Sequence, residues 1–254
     1  MRAEDFLEIL SQNSKDETQI QALKNGMPLG TDSVGNLVFS KRQEQPFSVR
    51  HTCVTGPRRT AFIKRFITTL SCLYEKSEAN FLVISPRLDY GELFRLQALD
   101  ITAPFIRTVA DLQAALACVK ELMSMQQTGR GYPKLFLVLD GLEELDGTNT
   151  NADLEEYRNF FDALTCRKNV EVITGAELMR SIFSGYPGAF VGVGNCLVTT
   201  REEGVADVTY VQDDSSLSLP TVLHYPSMPS FTETVIYLNS LLPSQNALAA
   251  EENE

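Results

Sequence analysis

The sequence predicts an α/β protein with three layers, in which a mostly parallel sheet is covered by helices on both faces. Short apolar runs of strand length, such as LFLVL at 135–139, alternate with longer segments along the chain. In those longer segments the apolar residues recur every three to four positions, as on one face of a helix. The 254 residues suffice to bury a full core around such a sheet.

Composition and charge narrow the class of protein further. The chain is 43% hydrophobic and 22% charged, with a formal net charge of −11, which argues against a surface that coats nucleic acid. No signal peptide and no apolar run near the roughly 20 residues of a membrane span is visible, so we expect a cytoplasmic protein. The cysteines form no CxxC pair, which argues against zinc and a disulfide framework; they stand at Cys53, Cys72, Cys118, Cys166 and Cys196.

The chain divides into three predicted parts. Residues 1–24 hold a short amphipathic helix, over 1–12, and a polar linker, SQNSKDETQ. Residues 25–242 form the α/β domain, and the acidic tail 243–254 is predicted to be disordered.

Within the domain, alternating patterns give the order of elements. Apolar runs predict strands at 37–39, 51–55, 81–85, 104–106, 135–139, 170–174, 196–200 and 208–211. Helical spacing predicts helices from 60 onward and at 90–99, 109–125, 153–164, 176–183 and 230–242.

The turn after the strand at 51–55 has the position of a phosphate-binding loop. It runs Gly56, Pro57, Arg58, Arg59, Thr60 into a helix, whereas the usual loop is GxxxxGK[ST]. Three residues are missing, Arg59 stands where the lysine belongs, and Pro57 has no N–H to donate. Three interpretations follow: a tight turn with two solvated arginines, an anion site at the helix N-terminus, or an ATP site.

The strand LFLVL ends at Asp140, which has the position of a Walker B carboxylate that holds Mg²⁺. The next residue, where an acid usually orients the attacking water, is Gly141; Glu143 or Glu144 would have to reach back instead. If a nucleotide binds, Thr60 and Asp140 are the predicted magnesium ligands. The alternative is a strand-end aspartate that caps the following turn.

These motifs together resemble the motor domain of the FtsK/SpoIIIE family, which includes DNA translocases and the type VII secretion ATPases of the EssC/EccC branch. MPLGTDSVGNLVFS followed by PFSVRHTCVTG is similar to the start of that domain. The matching residues are Leu29, Gly30, Asp32, Gly35, Val38, His51, Val54 and Gly56. LFLVLDGLEEL resembles the family's Walker B strand, and VEVITG lies at its sensor strand, with Thr174 in place of the polar sensor. The resemblance covers roughly 27–211.

The resemblance implies a P-loop fold of the RecA/FtsK type, and the departures from its motifs imply a degenerate ATPase module. We therefore predict a pseudo-ATPase that acts through protein–protein contacts or self-association in a translocation or secretion system. Its cofactor would be none, or ATP with Mg²⁺. The alternative is an active ATP-dependent DNA or protein translocase with an arginine-containing phosphate loop. The net charge argues against autonomous DNA binding.

Overall fold

The computed structural model describes about half of the chain, including the segments that carry the predicted phosphate loop and Asp140. The described residues are 17–40, 50–70, 73–74, 77–96, 100–102, 106–125, 133–141, 170–175, 193–202, 204–210 and 219–225. Glu143 and Glu144 lie outside them, as do the helices predicted at 1–12, 153–164, 176–183 and 230–242 and the tail 243–254. The predicted division into parts stays a prediction.

One sheet organises the described residues. Its strands are β1 (Pro28–Thr31), β2 (Leu37–Phe39), β3 (Arg50–Thr55), β4 (Ala79–Ile84), β5 (Asp100–Thr102), β6 (Lys134–Leu139), β7 (Val170–Gly175), β8 (Val193–Thr199), β9 (Val205–Tyr210) and β10 (Thr221–His224). The helices are α1 (Glu17–Gly26), α2 (Arg59–Leu70), a 3₁₀ helix (Leu88–Arg95) and α3 (Val109–Met125). No described helix has the length and apolarity that crossing a membrane requires.

The strand order is β2-β1-β10-β9-β8-β3-β7-β6-β4-β5. The strands from β8 to β5 pair in parallel, and those from β8 to β2 pair antiparallel. Because β3, β6 and β7 are parallel neighbours, their carboxyl ends meet at one edge, with Leu139 opposite Thr174. This edge brings the predicted phosphate loop beside Asp140.

Helices cover both faces of the parallel half, which confirms the predicted three-layer α/β class. Alternate residues of β4 and β6 belong to two different core clusters: Phe81 and Phe136 to one, Leu82 and Leu137 to the other. The first cluster includes the apolar face of α2 and the second that of α3. Since successive strand side chains point to opposite faces, the two helices lie on opposite sides of the sheet.

The predicted strands at 37–39, 51–55, 81–85, 135–139 and 170–174 are confirmed to within two residues, and the helix at 109–125 is confirmed. The strands predicted at 196–200 and 208–211 begin three residues earlier. Strands β1 and β10 were not predicted, because both are short and Pro28 begins one of them.

Between β4 and α3 one prediction is wrong and another lies mostly outside the described residues. The predicted helix at 90–99 is a 3₁₀ helix over Leu88–Arg95, because Tyr90, Leu93 and Leu96 are buried at spacings of three, which a 3₁₀ helix places on one face. Of the strand predicted at 104–106, positions 104 and 105 lie outside the described residues and Ile106 is not in a strand, whereas Asp100–Thr102 forms a strand that was not predicted. Ile106 is buried because it packs with α3, not because it belongs to the sheet.

The chain is helical over Glu17–Gly26, where the sequence predicts the end of a polar linker. Leu23 of this helix belongs to the core cluster on the α2 side of the sheet. The hydroxyl of Tyr74 donates to the carbonyl of Lys24 at 2.9 Å, and the Lys24 ammonium lies 2.6 Å from Glu78. These contacts fasten α1 to the sheet domain.

Candidate functional site

The Asp140 carboxylate is the centre of the site. It follows β6 directly, is 0% exposed, and accepts hydrogen bonds from three side chains. The Arg59 guanidinium donates through Nε to Oδ1 at 2.8 Å. The hydroxyls of Thr60 and Tyr90 donate to Oδ2 at 2.7 and 2.8 Å. The structure thus brings together the predicted site residues Arg59, Thr60 and Asp140, and adds Tyr90.

The turn between β3 and α2 places the two donors from α2. Gly56 has φ +95°, a conformation that side chains disfavour, and a Cβ there would lie 2.3 Å from the carbonyl oxygen of Thr199. The amide of Arg58 donates to the Thr199 hydroxyl at 3.0 Å, and that hydroxyl donates to the carbonyl of Thr55 at 2.8 Å. The loop is therefore bound to the end of β8, and this amide is used inside the protein.

Arg59 occupies the place of the phosphate-loop lysine and has a buried counterion. Its side chain is 7% exposed and that of Asp140 is 0% exposed. Burying either charge alone would cost several kcal/mol, so each requires the other. The interpretation that both arginines of the turn are solvated is therefore wrong for Arg59. Arg58 is half-buried, and its Nε donates to the carbonyl of Arg201 at 3.1 Å.

The side chains around Asp140, as arranged here, do not form a binding site that suits a magnesium ion. A hydroxyl has one proton to donate, and that of Thr60 goes to Asp140, while its oxygen accepts from Arg87 Nη1 at 3.2 Å. Mg²⁺ requires near-octahedral oxygen ligands, and the Arg59 guanidinium beside the carboxylate would repel it. A metal bound directly to Oδ1 of Asp140 would lie beside the Arg59 guanidinium, which donates to that oxygen.

Tyr90 was not predicted as a site residue. It is buried in the 3₁₀ helix, and its burial together with the negative charge of Asp140 raises its pKa well above the ordinary value. The phenol therefore stays protonated and keeps donating to the carboxylate. The one signal of Tyr90 in the sequence is its three-residue spacing to Leu93. That spacing predicts a buried core residue, not a site residue.

Gly141 directly follows Asp140, at the position where the sequence motif predicts an acid that orients the attacking water. Its φ of +73° is one that residues with a side chain rarely adopt. A Cβ there would also lie 3.1 Å from Nε of Arg87. The backbone at this position is thus adapted to glycine, and the Arg87 side chain lies in the adjacent space.

The sensor-like Thr174 lies against His51. The Thr174 hydroxyl and Nε2 of His51 are 2.9 Å apart, and both side chains are buried. Burial lowers the pKa of His51 to about 3, so its imidazole is neutral near pH 7. The residue of β7 that adjoins the Asp140 carboxylate is Gly175, where a Cβ would lie 2.4 Å from Oδ1.

A cleft of about 540 Å³ opens beside the cluster. It is lined by the loop from Gly56 to Arg58, the first turns of α2, and the segment that carries Arg87 and Asp89. Its charged lining residues are Arg58, Arg59, Lys64, Arg87 and Asp89. Asp140 lies behind it, bonded to Arg59 and Thr60.

No protein-family model matches the sequence, and no curated protein matches it. Solved structures do resemble the fold. The cytoplasmic domain of the Thermomonospora curvata type VII secretion ATPase EccC has a TM-score of 0.55 at 11% identity, over 85% of this chain and 31% of that one. T. curvata EccC (ATPases 2 and 3) in complex with a signal sequence peptide has a TM-score of 0.54 at 14% identity, over 82% and 42%.

The cytoplasmic domain of EssC has a TM-score of 0.50 at 12% identity, over 82% of this chain and 46% of that one. The chain thus spans less than half the length of each of these three solved chains. At these identities the likeness is one of fold, and it confirms the predicted three-layer α/β architecture, which these ATPase domains share.

Proposed function

We propose that this chain is an ATPase-like module of a secretion system that does not hydrolyse ATP and acts through contacts with other proteins. The fold likeness to EccC and EssC supports the secretion context, and one of those EccC structures holds a signal sequence peptide.

The observation that carries the proposal is that three side chains of the protein already donate to the Asp140 carboxylate. Arg59, Thr60 and Tyr90 all donate to its carboxylate, so the two predicted magnesium ligands, Thr60 and Asp140, are bonded to each other. The shortened loop supports the same conclusion, because the amide of Arg58 donates to Thr199 instead of facing a phosphate. Because residue 141 is glycine, the position after Asp140 in the sequence has no carboxylate that could orient a water molecule.

An ATPase assay of the purified chain with Mg²⁺ tests the proposal, with Asp140→Asn as the paired variant. We expect phosphate release at the level of a protein-free control for both proteins. Circular dichroism of both establishes that they are folded. Turnover well above that control in the parent chain, abolished by Asp140→Asn, would contradict the proposal.

The second candidate is an active nucleotide-driven motor with an arginine in the loop, favoured by the basic cleft beside Gly56. In this candidate Gly56, Pro57, Arg58, Arg59 and Thr60 hold the phosphates, with Thr174 as the sensor. It predicts a Mg²⁺-dependent thermal shift with ATP that Arg59→Ala removes. No shift at millimolar ATP in the parent chain excludes it.

A further inference from the structure

Both residues that the sequence predicts as magnesium ligands accept a hydrogen bond from an arginine. Nε of Arg59 donates to Oδ1 of Asp140 at 2.8 Å, and Nη1 of Arg87 donates to the hydroxyl oxygen of Thr60 at 3.2 Å. The Thr60 hydroxyl in turn donates to Oδ2 of Asp140 at 2.7 Å. A guanidinium group thus lies beside each of the two side chains that a divalent ion would need.

The main chain of β7 occupies further space around Oδ1 of Asp140. A Cβ at Gly175 would lie 2.4 Å from Oδ1 and 3.5 Å from Nε of Arg59. Mg²⁺ requires near-octahedral oxygen ligands at about 2.0–2.1 Å and usually keeps several waters. Such a shell around Oδ1 needs space that the Arg59 side chain and the Gly175 main chain occupy.

The charge of Asp140 is balanced inside the protein. Its side chain is 0% exposed, and that of Arg59, which neutralises it, is 7% exposed. A divalent ion at Oδ1 would lie within a few ångströms of the guanidinium, and two cations repel each other strongly where little water screens them. Binding of the ion therefore requires that Arg59 leaves.

We propose that the Arg59 guanidinium is the resident cation of this site and excludes divalent metal ions from Asp140. A short neutral side chain at position 59 then converts Asp140 into a divalent-cation site. Arg59 and Thr60 line the cleft and Asp140 lies behind them, so that truncation of Arg59 opens a path from solvent to Oδ1. The inference rests on the proposed function and deepens it, because it names the residue that keeps the metal ion from the same site.

Thermal unfolding with and without about 5 mM Mn²⁺, used as the divalent probe, tests this inference. Arg59→Ser should gain about 3 °C or more from the ion relative to the double variant Arg59→Ser/Asp140→Asn, which lacks the carboxylate. The parent chain and Arg59→Lys, which keeps a positive charge, should shift no more than the double variant. If Arg59→Ser is unfolded without the ion, recovery of the parent's circular dichroism on addition of Mn²⁺ takes the place of the thermal shift.

A second measurement uses no substitution at Arg59. Electron paramagnetic resonance of free Mn²⁺ counts the ions bound by the parent chain and by Asp140→Asn. We expect equal numbers, because Asp140 binds no ion while Arg59 is present. Ions held by carboxylates elsewhere on this acidic chain contribute equally to both proteins.

Three outcomes would overturn the inference. One is a Mn²⁺ ion bound by the parent chain and lost in Asp140→Asn. Another is Arg59→Ser gaining no more from Mn²⁺ than the double variant. The third is Arg59→Lys gaining as much as Arg59→Ser, since a positive charge would then not exclude the ion. Mn²⁺ bound at Asp140 without ATP turnover leaves the proposed function standing, whereas turnover abolished by Asp140→Asn refutes that function itself.

Discussion

At the scale of single residues, the Asp140 carboxylate determines the character of the site. It is fully buried, so its charge must be balanced inside the protein, and the Arg59 guanidinium balances it at 2.8 Å. Thr60 and Tyr90 satisfy the other oxygen. The residues predicted to serve a nucleotide, Arg59, Thr60 and Asp140, are bonded to one another in the structure.

Arg59→Ala should lower the free energy of unfolding by about 3–5 kcal/mol, because it leaves the buried Asp140 carboxylate without its counterion. The control variant is Lys120→Ala, at an exposed position on α3. It should change the free energy of unfolding by less than about 0.5 kcal/mol. Urea unfolding followed by circular dichroism measures both. Equal stability of the two variants would show that the ion pair does not contribute.

Gly175→Ala should destabilise the protein by about 1–3 kcal/mol, because the new methyl group would lie 2.4 Å from Oδ1 of Asp140 and force the carboxylate to move. Gly91→Ala is the matched control, since a Cβ there meets nothing within 4 Å. Thermal and urea unfolding compare the two. Equal stability of Gly175→Ala and Gly91→Ala would contradict the close packing of Gly175 against the Asp140 carboxylate.

At the scale of elements, the junction between β3 and α2 is held by β8. The Thr199 hydroxyl accepts from the amide of Arg58 and donates to the carbonyl of Thr55. One side chain thus bridges the end of the strand and the loop before the helix. This bridge explains how a turn that is three residues short of a phosphate loop still starts α2 in place.

Thr199→Val should cost about 2 kcal/mol of stability, because it removes both hydrogen bonds at constant shape and leaves the Arg58 amide without this acceptor. Thr102→Val, on the exposed face of β5, should be close to neutral. Hydrogen exchange should also become faster at the Arg58 amide in the first variant only. Unchanged exchange there would mean that the loop does not depend on Thr199.

At the scale of the whole molecule, the sheet is stabilised from both faces, with α2 and α3 on opposite sides. His51 lies within it on β3, between β7 and β8, and its pKa is lowered to about 3 by burial. Its ordinary value, reached on unfolding, is 6.5. Protonation of this one side chain is therefore coupled to unfolding of the sheet.

The unfolded chain binds the His51 proton between pH 6.5 and about pH 3, and the folded chain does not. The stability that neutral His51 provides is thus fully present above pH 6.5 and is lost as the pH falls toward 3, by at most about 1.4 kcal/mol per pH unit. Urea unfolding at a series of pH values should show a flatter dependence in His51→Gln. His224→Gln, which changes the other histidine of the chain, should keep the parent's dependence. Equal slopes in all three proteins would contradict the burial argument.

Local patterns predicted much of the fold because they depend on neighbouring residues. LFLVL indicated a buried strand, and the spacing of Leu112, Leu116 and Val119 indicated α3. The 3₁₀ helix was mistaken for an α-helix because both bury residues three positions apart. The antiparallel strands β1 and β10 were missed, since each is only four residues long.

The sequence by itself determined the strand–turn–helix order and showed that the loop is shorter than a phosphate-binding loop. It also identified Arg59, Thr60 and Asp140 as candidate site residues. Only the tertiary structure decided what those residues do. Tyr90 lies 50 positions from Asp140 and Thr199 lies 141 from Arg58, yet each pair is hydrogen-bonded. Such contacts follow from the strand order and from which elements share an edge, and no local pattern encodes these. A short basic loop is compatible with an open anion site or a closed ion pair, and the burial of Asp140 favours the closed pair.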